Sequence, residues 1–293
     1  MQLHQLRYAV CVADQRQFTR AAAALHVAQP SVSSAVHDLE RELGVELFHR
    51  SRGEAAPTAA GEAFLPWARQ VLADCEAGRQ AVRELLGLQG GRLSIGATPS
   101  LATHLLPGVL SRYHRLYPKV ELTVYEAGSG GLVDRLEQGH LDMALVILPI
   151  GAPWVDTEAL AQEELVLAVV PTHPLARRRA LDVDDLRDLP LVMFREGYNL
   201  RDATFAACRQ AGFEPTLALE GLEMDGVLAH AGAGLGAAVV PRGVITAASG
   251  LVALPFRHRA LVRHIGLASR RDRPLHQAAA AFVTEVRTAM MAE

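Results

Sequence analysis

Several things are scarce in this chain of 293 residues, and each scarcity removes a class of protein. No apolar run reaches the roughly 18 residues a membrane helix requires, so no membrane span and no membrane partner is expected. The opening MQLHQLRYAVCVADQRQFTR is broken by His4, Arg7 and Asp14. No basic segment leads into an apolar stretch with a cleavage site, so no signal peptide is expected and the reading is cytoplasmic. There are only three cysteines, Cys11, Cys75 and Cys208, with no CxxC spacing, which reads as free thiols packed like small apolar groups. Positive charge is not in excess: the net charge is −3, and residues 1–58 hold six arginines against six acidic residues. HExxH, GxSxG and P-loop motifs are absent, so no enzyme, cofactor or metal site is expected. Gly232, Gly234 and Gly236 of AGAGLGAAVVP follow a helical pattern and open a strand, the reverse of a dinucleotide-binding loop. The run Asp182, Asp184, Asp185, Asp188 could suggest metal-dependent DNA chemistry, but a solvated helix and loop is the better reading.

What is present divides into two styles. The length suits two or three domains, and a 50% hydrophobic, 21% charged composition is that of a globular chain. Leu3, Leu6, Val10 and Ala13 fall at helical spacing and predict a first helix over 3–13. Gln15–Gln17 break it, and Thr19 caps a second helix through Leu25. After a turn at His26–Ala28, Pro30 sits in the first turn of a third helix, where its missing N–H costs nothing. Val32, Ala35, Val36, Leu39 and Leu43 share one face of that helix, and Gly44 stops it. The other face shows Gln29, Ser31, Ser33, Ser34, His37, Asp38 and Arg41. Two helices, a tight turn and a polar N-terminal face describe a helix-turn-helix. Val45, Leu47 and Phe48 return into the core, and Arg50 and Arg52 flank a turn at Gly53, which reads as a wing. Thr58 then caps a helix of some 30 residues whose stripe of Phe64, Trp67, Val71, Cys75, Val82 and Leu85 cannot be buried alone. Pro66 should kink it, and Gly87, Gly90 and Gly91 end it.

From Arg92 the pattern changes. RLSIGA, VELTVYEA and LDMALVIL read as strands alternating with helices over 101–115 and 131–138. Further apolar runs follow at 164–170, 190–194, 216–221, 236–241 and 264–269. Alternation of this kind predicts mostly parallel sheets with covering helices, here as two lobes. Pro149, Gly151 and Pro153 mark a crossing between lobes, and HIGLAS the return, so that a last helix, 275–291, packs on the first lobe.

The segment FTRAAAALHVAQPSVSSAVHDLERELGVELFHR (18–50), followed by PTAAGEAFL (57–65), resembles the LysR family of bacterial regulators in its spacing of paired Ala, Gln-Pro, Leu-Glu, Leu-Gly and Leu-Phe-x-Arg. RLSIGA, LLPGVLSRYHRLYPKVELTV, LEQGHLDMALV, HPLA and AGAGLGAAVVP fit the same family, so the likeness covers essentially the whole chain. It implies an all-α winged helix-turn-helix (1–58), a linker and dimerisation helix with a hinge (59–91), and an α/β effector-binding domain (92–293) similar to type 2 periplasmic binding proteins. Within that domain, lobe I is expected at about 92–160 and 268–293 and lobe II at about 161–267. The implied partners are double-stranded promoter DNA, a small and anionic effector, a second copy through the linker helix with tetramer formation, and RNA polymerase. A small-molecule-binding protein of the periplasmic type, without DNA function, is the alternative. Three positions depart from the family habit: Ala28 replaces a capping Ser, Ser34 replaces Arg, and His37 replaces a more basic residue, which together thin the phosphate contacts.

On this resemblance Gln29 would read adenine through a two-pronged contact. Ser31, Ser33 and Ser34 would reach phosphates or base edges beside Pro30 and His37. Arg50 and Arg52 would serve from the wing and Arg20 from the second helix, although Arg50 could equally hold the wing to the body and Arg20 could be a plain surface charge. For the effector, the first strand-to-helix turn offers Thr98, Ser100 and Leu101, and the second offers Gly128 and Ser129. Val146 ends a strand near the hinge. The opposite lobe offers Arg195, Tyr198 and Arg201, either arginine able to grip a carboxylate.

Overall fold

The computed structural model describes all residues except 52, 53, 86–90, 260, 292 and 293, and it divides into two compact units. One comprises Met1–Gln89 with Arg135–His140; the other comprises Gly90–Asp134 with Leu141–Glu293.

In the first unit, helices α1 (Leu3–Gln15), α2 (Phe18–Ala24) and α3 (Gln29–Leu43) precede a hairpin, β1 (Phe48–Ser51) with β2 (Glu54–Pro57), and a long helix α4 (Ala59–Leu85). The stripe expected on α3 is buried at Val32, Ala35, Val36 and Leu39 but not at Leu43, which is exposed in the last turn; Val32, Val36 and Leu39 share a core with Leu6, Ala9 and Val12 of α1 and with Leu47 and Phe48 at the wing. Gly44 ends α3 at φ 72°, a left-handed position that favours glycine. Helix α2 begins one residue ahead of the expected cap, with Gln17 in the N-cap position and Thr19 already inside. Phe18 is thereby turned edge-on to the buried Phe48 ring, 6.0 Å away, so tertiary packing overrides the capping preference. Thr58 does cap α4: its hydroxyl accepts the Gly61 N–H at 3.0 Å and donates to the Glu46 carbonyl at 2.7 Å. Gly61 is required there, since a Cβ would fall 2.1 Å from the Leu47 carbonyl oxygen. The helix runs through Pro66 as one element.

In the second unit, β3 (Gly91–Ala97) pairs in parallel with β4 (Val120–Glu126) and β5 (Met143–Leu148). These strands are connected through α5 (Pro99–His104), α6 (Leu106–Leu116) and α7 (Ser129–Glu137). The helix expected over 101–115 is therefore two, because Pro107 near the start of α6 supplies no N–H to continue the first. A 15-residue strand, β6 (Val155–Val169), then leaves this lobe. The second lobe holds β7 (Leu191–Phe194), α8 (Asn199–Gln210), β8 (Leu217–Leu222), α9 (Met224–Gly232), β9 (Ala238–Pro241) and β10 (Val252–Pro255). Strand β11 (Val262–Arg270) returns, and α10 (Gln277–Met290) closes the first lobe. The crossing strands run antiparallel as neighbours, so one seven-stranded sheet passes through both lobes in the order β10-β6-β11-β5-β3-β4, with β9 on β6. The expected parallel arrangement is found for β3, β4 and β5 in the first lobe and for β7 with β8 in the second, whereas β9 and β10 pair antiparallel with the end of β6, and the crossing strands β6 and β11 are antiparallel because the chain crosses once in each direction.

Each lobe has its own core. The first is built on Leu93, Ile95, Leu106, Tyr113, Phe282 and Val286. It takes in Leu160 at the end of the outgoing run and resumes at Ile265 and Leu267, ahead of the return point expected at 268. The second core runs from Leu165 to Leu261. Residues 161–164 and 262–264 therefore lie between the cores. Among the described residues, no helix is long and apolar enough to cross a membrane, and no cluster of His, Cys, Asp and Glu could hold a metal ion.

Candidate functional site

The N-terminal half of α3 presents one exposed polar edge. Gln29, Pro30, Ser31, Ser34 and His37 are exposed and Ser33 is half-buried, while Val32, Ala35 and Val36 on the other side are in the core. The Gln29 side-chain amide donates to the Ser33 hydroxyl at 2.8 Å, a solvent-exposed bond that a ligand could replace at small cost. Ala28 occupies the N-cap with extended backbone and no side-chain bond. Arg20 is exposed on α2. The backbone of Arg50 pairs in the hairpin opposite Ala55, but its side chain, and all of Arg52, lie outside the described residues. One residue that pattern reading passed over fixes this helix to the wing. Glu40, only 4% exposed, accepts the Leu47 N–H at 2.9 Å, so the end of α3 and the start of the hairpin move as one.

In the second unit the expected effector residues fall into three groups. Thr98, Ser100 and Tyr198 are buried, and their hydroxyls have no hydrogen-bond partner. Such groups are rare in folded proteins because each costs a desolvation penalty, so each of the three marks a point where a polar partner would be favourable. Burial, with the nearby Glu223 charge, pushes the Tyr198 phenol up to about 12, which keeps it a donor; its ring stacks on Phe194 at 4.5 Å. Gly128 and Gly197, on the turns of opposite lobes, face each other: a Cβ on the former would be 3.8 Å from the latter's carbonyl oxygen. Structural duties take up a second group. Leu101 is in the first core, Val146 is buried on β5 opposite Gly266, and the Ser129 hydroxyl accepts the Ile147 N–H at 3.0 Å. The two arginines form the third group, and both are already engaged. Arg195 is half-exposed and paired with Glu223. Arg201 donates to Glu220 at 2.7 Å and to the Phe194 carbonyl at 3.1 Å, and stacks over Phe205.

The buried cation of this unit is instead Arg263, 4% exposed, on β11. Its Nε donates to Glu163 Oε2 at 2.6 Å; Nη2 is equally close but forms no well-aligned bond. Glu163 stands opposite it on β6, and its other oxygen lies 3.3 Å from His104 Nε2. The His104 Nδ1 meets the Ser100 carbonyl, and the ring packs on Gly243 of the second lobe, where a Cβ would come within 2.7 Å. Burial alone would raise the Glu163 pKa, but the His104 bond and the Arg263 charge outweigh it and hold the carboxyl below its usual range. Burial likewise opposes the charge on His104, yet the bond to Glu163 and its charge win, and the His104 pKa is raised. The available signal was an acidic pair, Glu163 and Glu164, in AQEELVLAVV and an arginine in LVRHIGLAS, opposite charges beside apolar runs and 100 residues apart.

Comparison with known proteins now bears on these two sites. Residues 3–62 match the model for the bacterial regulatory helix-turn-helix protein, lysR family, and residues 86–291 match the LysR substrate binding domain. The chain belongs to the LysR family. This regulator is 30% identical over 278 residues to the Escherichia coli DNA-binding transcriptional dual regulator OxyR, covering 94% of this chain and 91% of that one. Its structure is similar to a full-length OxyR variant from Pseudomonas aeruginosa, with a TM-score of 0.79, 29% identity and 98% of each chain covered. It is also similar to full-length CbnR complexed with its target DNA, with a TM-score of 0.73, 26% identity, and 99% of this chain and all of that chain covered. It is a DNA-binding transcriptional regulator with an α/β effector-binding domain. The match of residues 3–62 leaves the alternative of a binding protein without DNA function unsupported.

Proposed function

We propose that this LysR regulator works as a homotetramer, reading a dyad-symmetric promoter with α3 and answering to a small anionic effector held between the lobes of its second unit. The exposed polar edge of α3 carries the reading. Gln29 takes adenine, Ser31, Ser33 and Ser34 take phosphate or base edges beside Pro30 and His37, and Arg20, Arg50 and Arg52 hold the flanking backbone. With no excess of positive charge on residues 1–58, affinity depends on pairing two such modules. The surface for that pairing is on α4, where Trp67 is 72% exposed with Val71 and Val82 also exposed along the same stripe. Dimers then join through the effector domains. The effector alters lobe closure by binding the two states unequally, and the changed assembly alters recruitment of RNA polymerase.

The effector is held by Thr98, Ser100, Gly128, Ser129 and Tyr198, beside Leu101 and Val146; the pairing of Arg195 and Arg201 with Glu223 and Glu220 moves the anion-binding role away from them. No catalytic group and no resident cofactor is assigned, and the protein acts in the cytoplasm. The peroxide response in the names of its relatives is not carried over to a thiol here. The second unit offers only Cys208, buried and pushed up to about 11 by that burial, where a nucleophilic thiolate is scarce.

The test is a gel shift with the full chain and the promoter region beside its own gene. Gln29→Ala should lose about 1–3 kcal/mol at one A·T position. Unchanged sequence preference would reject the assignment of α3 as the reading helix.

A further inference from the structure

Between the two cores the chain crosses twice, and each crossing supplies one member of an ion pair: Glu163 outward and Arg263 on return. A buried ion pair is a costly way to join two strands, since apolar residues of the same volume serve stability at least as well. The surroundings show a further use. Among the described residues of this unit, three buried hydroxyls have no hydrogen-bond partner, Thr98 Oγ1, Ser100 Oγ and Tyr198 OH, and one further buried atom, Arg263 Nη2, lies 2.6 Å from Glu163 Oε2 without a well-aligned hydrogen bond. The last belongs to the pair itself. Ser100 joins the same cluster through His104, whose ring nitrogens meet the Ser100 carbonyl and Glu163; Tyr198 is close enough to Arg263 for each to bias the other's titration. The groups around His104 are Glu163 from β6 and Arg263 from β11, with the uncharged Gly243 backbone packed on the ring from the second lobe.

The charges then count simply. With His104 neutral, Glu163 balances Arg263 and nothing is left for a ligand's charge. Once an anion takes Arg263, Glu163 keeps only His104 as a partner, and a proton on His104 restores neutrality. We propose that Arg263 is the anchor for one oxyanion group of the effector, a carboxylate, sulfate or phosphate head. Glu163 is the internal anion that holds the anchor until the effector arrives, and His104 takes up a proton as Glu163 turns to it. The inference rests on the reading of Ser100 and its neighbours as the effector site, and supplies the ligand's charge and its pH coupling. Since Glu163 and Arg263 sit where the lobes join, exchange of one anion for the other acts on the hinge itself.

The experiment uses the full chain, with sodium acetate and sodium sulfate as probes, acetamide as the uncharged control, and sodium chloride to equalise ionic strength. Thermal unfolding reads binding, and calorimetry in two buffers of different ionisation enthalpy reads proton uptake. Both anions should raise the Tm saturably and acetamide should not, with affinity falling and proton uptake rising between about pH 6 and about pH 8. Glu163→Gln frees the anchor, so it should bind the anions at least about tenfold tighter, without proton uptake and without pH dependence. Ser100→Ala should weaken binding in both backgrounds. The double variant E163M/R263M, which leaves no buried charge unpaired, should fold and lose the response. If Glu163→Gln binds no tighter, or keeps the proton uptake, the exchange is wrong; a Ser100→Ala effect in that same protein would leave the effector site standing. If neither wild type nor Glu163→Gln responds to either anion, the anchor is wrong. If both respond but Ser100→Ala and E163M/R263M respond equally, the effector site is wrong as well.

Discussion

Replacing Arg263 by Met should unfold the second unit far more readily than its single-residue scale suggests. The Arg263 side chain is 3% exposed and that of Glu163 14%, so the carboxylate stays buried after the change and loses its 2.6 Å partner. Breaking one side of a buried pair costs about 3–5 kcal/mol, because the surviving charge must be neutralised or solvated. His104 remains 3.3 Å away and can protonate to meet part of that cost, so the lower end applies near pH 6 and the upper end at higher pH. For a unit of about 200 residues each kcal/mol moves Tm by about 2–4 °C, which gives a fall of about 6–20 °C. Removing both charges in E163M/R263M should restore a Tm near wild type, since no ion is then stranded. Thermal melts followed by near-ultraviolet circular dichroism, in which Trp154 reports on this unit, provide the measurement. A single variant within about 2 °C of wild type, or a double variant as unstable as the single, would refute the reasoning.

Three further outcomes follow from the same structure. Ala28→Ser should stabilise the first unit by at most about 1 kcal/mol in urea unfolding, because the N-cap backbone is already extended (φ −71°, ψ 140°) and a hydroxyl there can share the Ser31 N–H, which donates to the Ala28 carbonyl at 3.0 Å; no gain would mean that the existing bond already satisfies that N–H. His104 has a folded pKa above its unfolded value, so its contribution is complete below about pH 6.5 and is lost as pH rises through the raised value. Glu163 has a depressed folded pKa, so its contribution is present above the ordinary 4.5 and disappears as pH falls through the lower value. Denaturation against pH should therefore show a maximum between these limits, and His104→Asn should flatten the alkaline side. Cys208, buried with its thiol pushed up to about 11, should resist iodoacetamide at pH about 8 until the unit unfolds, and hydrogen peroxide should leave DNA affinity unchanged through this residue; prompt labelling of native protein would contradict the burial.

The first 65 residues were legible because their information is local. The buried stripe of α3, the glycine that ends it at Gly44 and the Thr58 cap of α4 are relations over three or four residues, and helix geometry alone turns them into faces and ends. The strands whose side chains enter a core were legible too, as β3, β5 and the latter half of β6 show by their runs of buried residues. The first half of β6, from Val155, was not, because its side chains alternate between exposed and half-buried and only pairing with β11 makes it a strand. Nor could pattern distinguish one arginine from another. Arg195, Arg201 and Arg263 are equally charged in the sequence, yet Glu223 and Glu220 engage the first two near the surface, while Glu163 meets the third in the interior. From the order of residues alone it follows that a helix with one polar and one apolar edge stands near the amino terminus and that the rest folds as α/β lobes. Which charge lies buried between those lobes is set by the folded arrangement, because the partners that fix a buried charge's cost and pKa come from strands 100 residues apart.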